Sequence, residues 1–173
     1  MNFTLNYKLI SILKMKSEKW QTPAIKGYGR IKFFKNAAEQ TDISLNYKVL
    51  FDIKDSKETD GVNTGLWKIA RLLNLLKAGT IPAENIEIIA VVHGEAINLA
   101  LTDKKHQELY KSSNANLKLL KLLKEHGVTI YVCAQSLASK DILANDINEN
   151  IVIALSALMV LPNYQLKGYA LIP

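Results

Sequence analysis

The sequence of 173 residues contains one cysteine, Cys133, so no disulfide can close within the chain and a zinc site built from several cysteines is excluded. No apolar run reaches the roughly 18 residues that a membrane-spanning helix needs. Glycine and proline, with 8 and 4 residues, are too scarce for a fibrous or low-complexity chain. The remaining composition, with 49% hydrophobic and 22% charged residues, is that of a globular protein, and the length favours one domain.

A complete export signal is also missing from the first residues. The apolar run Leu9–Leu13 has five residues, whereas the apolar core of a signal peptide has about 7–15, and no small-residue cleavage site follows before Trp20. We therefore expect a cytoplasmic protein without membrane segments. An exported form would require that the start site has been misassigned.

The formal net charge is +6, but the excess of basic residues lies in the first part of the chain. Residues 1–40 carry eight basic and two acidic side chains, which leaves 14 of each for residues 41–173. Domains that bind nucleic acid instead carry basic groups on a folded face that follows the phosphates. We therefore predict no nucleic-acid binding, and we interpret residues 1–46 as a basic arm that wraps the domain or a neighbouring subunit. Within this arm, Arg30–Phe34 is expected to form a short edge strand.

From residue 47 to residue 173, segments with strand and helix patterns alternate along the chain. Apolar and β-branched residues predict five strands, over residues 47–53, 86–92, 128–132, 151–154 and 169–172. Helical periodicity and stop signals predict helices over residues 66–77, 95–101, 104–111, 116–125, 136–143 and 156–166. The apolar run over residues 151–161 fits either a strand or a helix. Strands that alternate with helices favour an α/β domain with a mainly parallel sheet and helices on both of its faces.

Two of the predicted strands end in chemically useful residues. The strand over residues 86–92 runs into His93 and Gly94, and the strand over residues 128–132 ends at Cys133. Ligands of open parallel sheets bind at the carboxyl ends of the strands. If these two strands are neighbours, we expect His93 and Cys133 to lie within side-chain reach of each other on one rim of the sheet.

Cys133 lies just before a predicted helix, whose first backbone N–H groups have no partner within the helix. These groups and the helix dipole favour the thiolate, which is the reactive form, and should lower the pKa of the thiol below its ordinary value of about 8.5. Gln135 and Ser136 can cap this helix or donate hydrogen bonds to a bound anion or persulfide. The alternative is a small, buried and inert cysteine.

The histidines and Glu95 allow more than one role. His93 could act as a base or as a proton donor to a sulfur leaving group, or it could be a structural histidine bonded to backbone. Glu95 could be a general acid or a carboxylate stabilised by the first turn of a helix. His106 and His126 are expected to face solvent. The three histidines do not have the spacing of metal ligands, so no metal site is predicted.

The segment Asp60–Gly65 lies between the first predicted strand and its helix, where phosphate-binding loops occur. It has neither the G-x-G-x-x-G nor the G-x-x-x-x-G-K-[ST] pattern, so no nucleotide cofactor is predicted. Asn63 or Thr64 could cap the helix, and Asn63 is also a candidate binding residue.

Four segments in a fixed order resemble the DsrE/DsrF-like (YchN-like) sulfur-relay family: Val91–Gly94, Gly127–Ser136, Ala154–Leu158 and Gly168–Ile172. The resemblance covers about residues 47–173. It implies a three-layer α/β/α sandwich with a five-stranded parallel sheet, and assembly into trimers or hexamers. In relay members, a cysteine at the position of Cys133 accepts sulfur as a persulfide and passes it on. Relay members often have a basic residue followed by glycine soon after the start of the next helix, where this chain has Ser139–Asp141.

Three functions follow as alternatives. The first is a sulfur-relay carrier or sulfurtransferase-like subunit that holds sulfane sulfur as a persulfide on Cys133. With one cysteine in the chain, the next thiol must come from another protein or a small thiol, so sulfur donors and acceptors are the expected partners. The second is a non-catalytic small-molecule binding module in an oligomer, with the rim around His93 and Cys133 as its pocket. The third is a purely structural oligomer.

Overall fold

A single parallel sheet organises the protein, whose computed structural model describes residues 18–173. Its strand order is β6-β5-β4-β1-β7, and every pairing between neighbours is parallel. The strands of this sheet are β1 (Tyr47–Ile53), β4 (Ile86–Val92), β5 (Thr129–Cys133), β6 (Val152–Ala154) and β7 (Ala170–Ile172). A short antiparallel ladder of β2 (Glu58–Thr59) and β3 (Val62–Asn63) leads into the first helix. The predicted α/β class and the five-stranded parallel sheet, flanked by helices in three layers, are confirmed.

The helices connect these strands across both faces of the sheet. They are α1 (Thr64–Ala78), α2 (Asp103–Tyr110), α3 (Leu117–Glu125), α4 (Ala134–Ala138) and α5 (Ala157–Leu166). Shorter 3-10 segments are Ala83–Asn85, Gly94–Ala100 and Ala144–Asp146.

Two of the helix predictions need correction. The helix expected over residues 136–143 starts earlier, at Ala134, and ends at Ala138, and Asp141 beyond it takes a left-handed φ of 53° that an α-helix does not contain. The helix expected over residues 95–101 is instead the 3-10 segment Gly94–Ala100.

One face of the sheet, which we call the closed face, is sealed by α1, α3 and the 3-10 segment Gly94–Ala100. Alternate residues of β1 point to this face, so Val49 and Phe51 lie in its core. They share this core with Ile97 and Leu120, neither of which has any exposed surface. This layer therefore supplies most of the buried apolar surface of the fold.

The opposite face, which we call the open face, is covered by α5. Its smaller core consists of Leu50, Ile89, Val91, Cys133, Ala157 and Val160. Three tyrosines connect α5 to the sheet: the Tyr131 and Tyr164 hydroxyls are 3.0 Å apart, and the Tyr169 hydroxyl donates to Glu87 Oε2 at 2.5 Å. The ring of Tyr164 also meets the edge of the Tyr169 ring, with 4.9 Å between the centroids.

Large apolar side chains remain exposed around β6 and the start of α5. We call this set the apolar patch: Val152, Ile153, Leu155, Leu158 and Met159, with exposed fractions from 40% to 80%. No charged residue occurs from Ile151 to Leu166. A surface stretch without charge and with several exposed large apolar residues is characteristic of a site of protein contact.

The described part of the predicted arm, residues 18–46, packs against α1 without forming a regular element. The edge strand expected over Arg30–Phe34 is wrong, because Ile31 forms one isolated antiparallel bridge with Gln21. Asn74 of α1, with no exposed surface, fixes the segment by accepting from the Ala24 and Ile25 N–H groups. The side-chain amide of Asn74 donates to the carbonyl oxygens of residues 28 and 29.

Residues 1–17, which include the Leu9–Leu13 run, lie outside the described residues, and the boundary of the arm at residue 46 stays a prediction. Across residues 18–173, the structure has no helix with the length and apolar character that crossing a membrane would demand.

Candidate functional site

Parallel pairing brings the two predicted site residues to adjacent strand ends. β4 and β5 are direct neighbours, and Val92 is the register partner of Val132. One residue further along each strand stand His93 and Cys133. The backbone of His93 is extended, with φ of −153° and ψ of −175°, so the alternation of side chains continues and His93 follows Val91 to the open face. The predicted adjacency of these strands is confirmed.

A third residue, Asp52 of β1, joins this row and was not singled out from the sequence. Like Leu50, it points to the open face, and β1 is the other neighbour of β4. Asp52 Oδ1 lies 2.6 Å from His93 Nε2, and their side chains are 14% and 25% exposed. The one available signal was an acidic residue within the otherwise apolar end of a strand, where burial of a charge requires a partner.

The Cys133 sulfur lies among hydrogen-bond donors from the starts of two helices. Burial, which on its own raises the pKa of a thiol, is outweighed by the Ala157 N–H of α5, the Ser136 hydroxyl and N–H, and the Gln135 N–H of α4, so that the pKa of Cys133 is lowered. Cys133 Sγ is also 3.9 Å from the Ser156 hydroxyl. Cys133 as a residue is 4% exposed. The direction of the pKa shift agrees with the prediction, although the sequence did not indicate that the Ala157 N–H at the start of α5 contributes.

The remaining residues predicted around the rim hold the strand ends together. The Gly94 N–H donates to the Ser136 hydroxyl at 3.3 Å, which links the end of β4 to α4. Gly94 has a positive φ of 57°, and a Cβ at this position would lie 3.0 Å from the Lys54 carbonyl oxygen. The Gln135 amide donates to the Leu155 carbonyl oxygen at 3.2 Å, which connects α4 to the loop before α5.

Glu95 and Asn63 have structural partners of their own. Glu95 is exposed and pairs with Lys140 at 3.4 Å. Asn63 caps α1, because its side-chain oxygen accepts from the Gly65 N–H at 2.8 Å. Of the two caps expected from the sequence, Asn63 and Thr64, the structure has the first. Its amide donates to the Asp55 carbonyl oxygen. Asn63 also lines a cavity of about 140 Å³ at the end of β1, so a binding role for it stays a prediction.

The prediction that His106 faces solvent is wrong, whereas His126 is exposed as expected. His106 is buried because the segment after α2 folds back, which places the Ser112 carbonyl oxygen 2.7 Å from Nδ1, and because the ring packs on Tyr110. Among residues 18–173, no group of three or more histidine, cysteine or acidic side chains is arranged to hold a metal ion.

The family model of the DsrE/DsrF-like family matches residues 48–173. The chain belongs to the DsrE/DsrF-like family. A solved structure, that of the protein of unknown function MTH1491 from Methanobacterium thermoautotrophicum, is similar over 73% of this chain and 97% of that chain, with a TM-score of 0.57 and 21% identity. At this identity the likeness shows the fold alone.

No curated protein matches the chain significantly. The DsrE/DsrF-like family as a whole is associated with sulfur relay, in which the partners are generally proteins.

Proposed function

We propose that this DsrE/DsrF-like protein is a sulfur carrier that holds sulfane sulfur as a persulfide on Cys133. The observation that carries the proposal is the set of donors around the Cys133 sulfur. Two helix starts and the Ser136 hydroxyl point toward it and lower the pKa of the thiol. A thiolate is the form that attacks sulfane sulfur, so these donors favour the reactive state.

The transfer step needs no oxidant or reductant. The Cys133 thiolate attacks the outer sulfur of a hydropersulfide R–S–SH, and a new S–S bond forms as the S–S bond of the donor breaks. The products are Cys133–S–SH and the thiolate R–S⁻, which then takes up a proton. The donors that stabilise the thiolate also suit the anionic persulfide, which carries its charge one atom further out.

Sulfur must then leave to a thiol outside the chain, because Cys133 is its one cysteine. A second molecule, either an acceptor protein or a small thiol, therefore attacks the persulfide. This makes the protein a carrier between partners, and we place it in the cytoplasm, where thiols remain reduced.

We also propose that copies of the chain assemble through the apolar patch into a trimer or hexamer. The patch begins at β6, whose Ala154 is the register partner of Cys133, and it has no charge that association would desolvate. Cyclic assembly would cover side chains such as Leu158, which is 80% exposed in the protomer.

The test is intact-mass measurement after incubation with glutathione hydropersulfide. The wild-type chain should gain the mass of one sulfur atom, and Cys133→Ser should gain none. His93→Ala should take up sulfur more slowly while it keeps its fold. Ser139→Ala serves as a matched control, because its hydroxyl bonds to the Ser136 carbonyl oxygen and not to the sulfur.

A second measurement follows alkylation of Cys133 by iodoacetamide across pH. Because donors lower the pKa of Cys133, the thiolate should persist, and alkylation should remain fast, at a lower pH than for an ordinary thiol. Ser136→Ala should move this profile to higher pH. Slow alkylation across neutral pH together with no sulfur adduct would contradict the carrier function. The rim around His93 and Cys133 would then be better described as a non-catalytic binding pocket.

A further inference from the structure

We propose that Asp52 is a positioning residue for sulfur transfer: it holds the His93 ring through Nε2, so that Nδ1 is presented to the thiolate that leaves the sulfur donor. This inference rests on the proposed carrier function and adds the source of the proton that the transfer step requires. Asp52 acts through His93 and not directly on the sulfur, because β4 lies between β1, which carries Asp52, and β5, which carries Cys133.

The geometry of the pair supports this role. The 2.6 Å separation of Asp52 Oδ1 and His93 Nε2 is short, as expected of a charge-assisted hydrogen bond, and both side chains are largely buried. Asp52, His93 and Cys133 stand on three neighbouring strands and on one face of the sheet. The main chain of His93 is held as well, because its N–H donates to the Ile53 carbonyl oxygen at 3.0 Å.

The carboxylate decides which ring nitrogen is free. An ionised carboxylate accepts hydrogen bonds and does not donate them, so Nε2 of His93 must carry a proton in this pair. Within residues 18–173, Nδ1 forms no hydrogen bond with the protein. In the imidazolium form, Nδ1 is therefore an N–H donor that is available to a bound molecule.

The proton balance of the transfer is then complete. As the Cys133 thiolate bonds to the outer sulfur of R–S–SH, the electron pair of the broken S–S bond leaves on R–S⁻. This thiolate takes the Nδ1 proton, which gives R–SH and a neutral imidazole that still donates from Nε2 to Asp52. Protonation of the leaving group matters most when the leaving thiol is weakly acidic.

Other charged groups near His93 have separate partners. Glu95, two residues further along the chain, pairs with Lys140 at 3.4 Å, and its N–H donates to the Lys54 carbonyl oxygen. Cys133 follows on the neighbouring strand β5. Asp52 is thus the carboxylate that the structure pairs with His93.

The experiment compares Asp52→Asn with a matched control, Asp55→Asn, whose carboxylate pairs with Lys57 at 3.8 Å and not with a histidine. Asp52→Asn should slow sulfur uptake from glutathione hydropersulfide by on the order of 10–100-fold, with less effect for an aromatic hydropersulfide, whose leaving thiol is more acidic. Alkylation of Cys133 by iodoacetamide should change by less than about threefold, because the reaction expels iodide and its leaving group needs no proton. Asp55→Asn should match the wild type in both assays.

A double variant separates positioning from a general structural role. In a His93→Ala background, Asp52→Asn should cause no further loss of sulfur uptake, because Asp52 acts through the ring. A further loss, or an equal loss of alkylation and uptake in Asp52→Asn, would overturn the inference. Uptake by Asp52→Asn at the wild-type rate would overturn it while leaving the carrier function intact. Absence of any adduct on the wild-type chain would instead overturn the carrier function, and the role of Asp52 in transfer with it.

Discussion

The two faces of the sheet are formed by alternate residues of the same strands, yet they are completed differently. On the closed face, Ile97 and Leu120 have no exposed surface, and α1, α3 and a 3-10 segment cover the strands. On the open face, α5 covers a smaller core, and Leu158 is 80% exposed beside it. Asp52, His93 and Cys133 all point to the open face. The comparison indicates that one face supplies most of the buried core, while the other places the thiol that we propose to be reactive next to an exposed apolar surface.

The largest effect is expected on truncation of a closed-face core residue. Leu120→Ala should lower the free energy of unfolding by about 2–5 kcal/mol, because it removes a fully buried side chain and leaves a cavity. Urea denaturation measures the change. Leu158→Ala on the open face, measured in dilute solution where copies are separated, should stay within about 0.5 kcal/mol of the wild type. Equal losses for the two variants would break the contrast between the faces.

The next effect concerns Asn74, which attaches the described part of the arm to the closed-face helix α1. Asn74→Ala should lower the free energy of unfolding by about 2–3 kcal/mol, because removal of the amide leaves buried backbone groups of the arm without partners. It should also make the chain near Gly27 sensitive to limited proteolysis. The exposed Asn163 of α5 provides the control, and Asn163→Ala should change neither result. An arm that remains protected in Asn74→Ala would show that other contacts hold it.

A third prediction tests the apolar patch of the open face. The double variant Leu155→Ser, Leu158→Ser should reduce the mass in light scattering to that of the protomer, 19.3 kDa, without loss of secondary structure by circular dichroism. Both side chains are more than 70% exposed in the protomer, so their loss should spare the fold. A wild-type mass of 19.3 kDa at every concentration would refute assembly through this face.

The smallest effect is expected from the tyrosines that attach α5 to the sheet. Tyr164→Phe removes the hydroxyl contact with Tyr131 and should lower the free energy of unfolding, measured by urea denaturation, by about 0.5–1.5 kcal/mol. Tyr110→Phe, on an exposed ring of α2, should cost less.

The same cluster should also be visible in alkaline titration. Burial, with a further contribution from Tyr131, raises the pKa of Tyr164 to about 12, and burial together with Glu87 raises that of Tyr169 to about 12. Because the folded protein holds the phenol protons more tightly than the unfolded chain, the two tyrosines add to the free energy of unfolding. This contribution is fully present below the ordinary tyrosine pKa of about 10 and is lost as pH rises from there through about 12. Tyrosinate absorbance would show two late-ionising rings in the wild type. Ionisation of every ring near pH 10 would argue against the cluster.

Most of the fold could be predicted from the sequence because its signals are local. The strand Ile86–Val92 was predicted with the bounds that the structure has, since an apolar run followed by a polar residue marks a strand buried on both faces. The helix that follows Cys133 was predicted too long, because its end depends on Asp141 taking a left-handed conformation. The edge strand expected over Arg30–Phe34 is replaced by one isolated bridge between Ile31 and Gln21, and buried Asn74 binds the preceding residues 24–29. Local propensity cannot indicate such contacts between distant residues.

The candidate site was predicted in part, for a reason that lies in the sheet order. His93 and Cys133 follow strand ends, and the rule for parallel sheets brings such residues to one rim. Asp52 was missed because its pairing with His93, 41 residues away, depends on β1 lying beside β4. Ser156 was missed for a similar reason, since its approach to Cys133 requires α5 to start beside β5.

The sheet order has a consequence for the way the chain reaches its folded state. Within residues 18–173, β1 is the first strand of the parallel sheet, and it pairs with β4 on one side and with β7 on the other. The partner of Val49 in β7 is Ala170, so this second ladder can form only after about 120 further residues have been added. During synthesis on a ribosome, this edge of β1 stays without its partner until residues 170–172 have emerged. An unpaired strand edge invites pairing with other chains, and contacts between distant residues form slowly. Nascent copies of this protein therefore pass through a period in which the edge of β1 is open to aggregation and to chaperones.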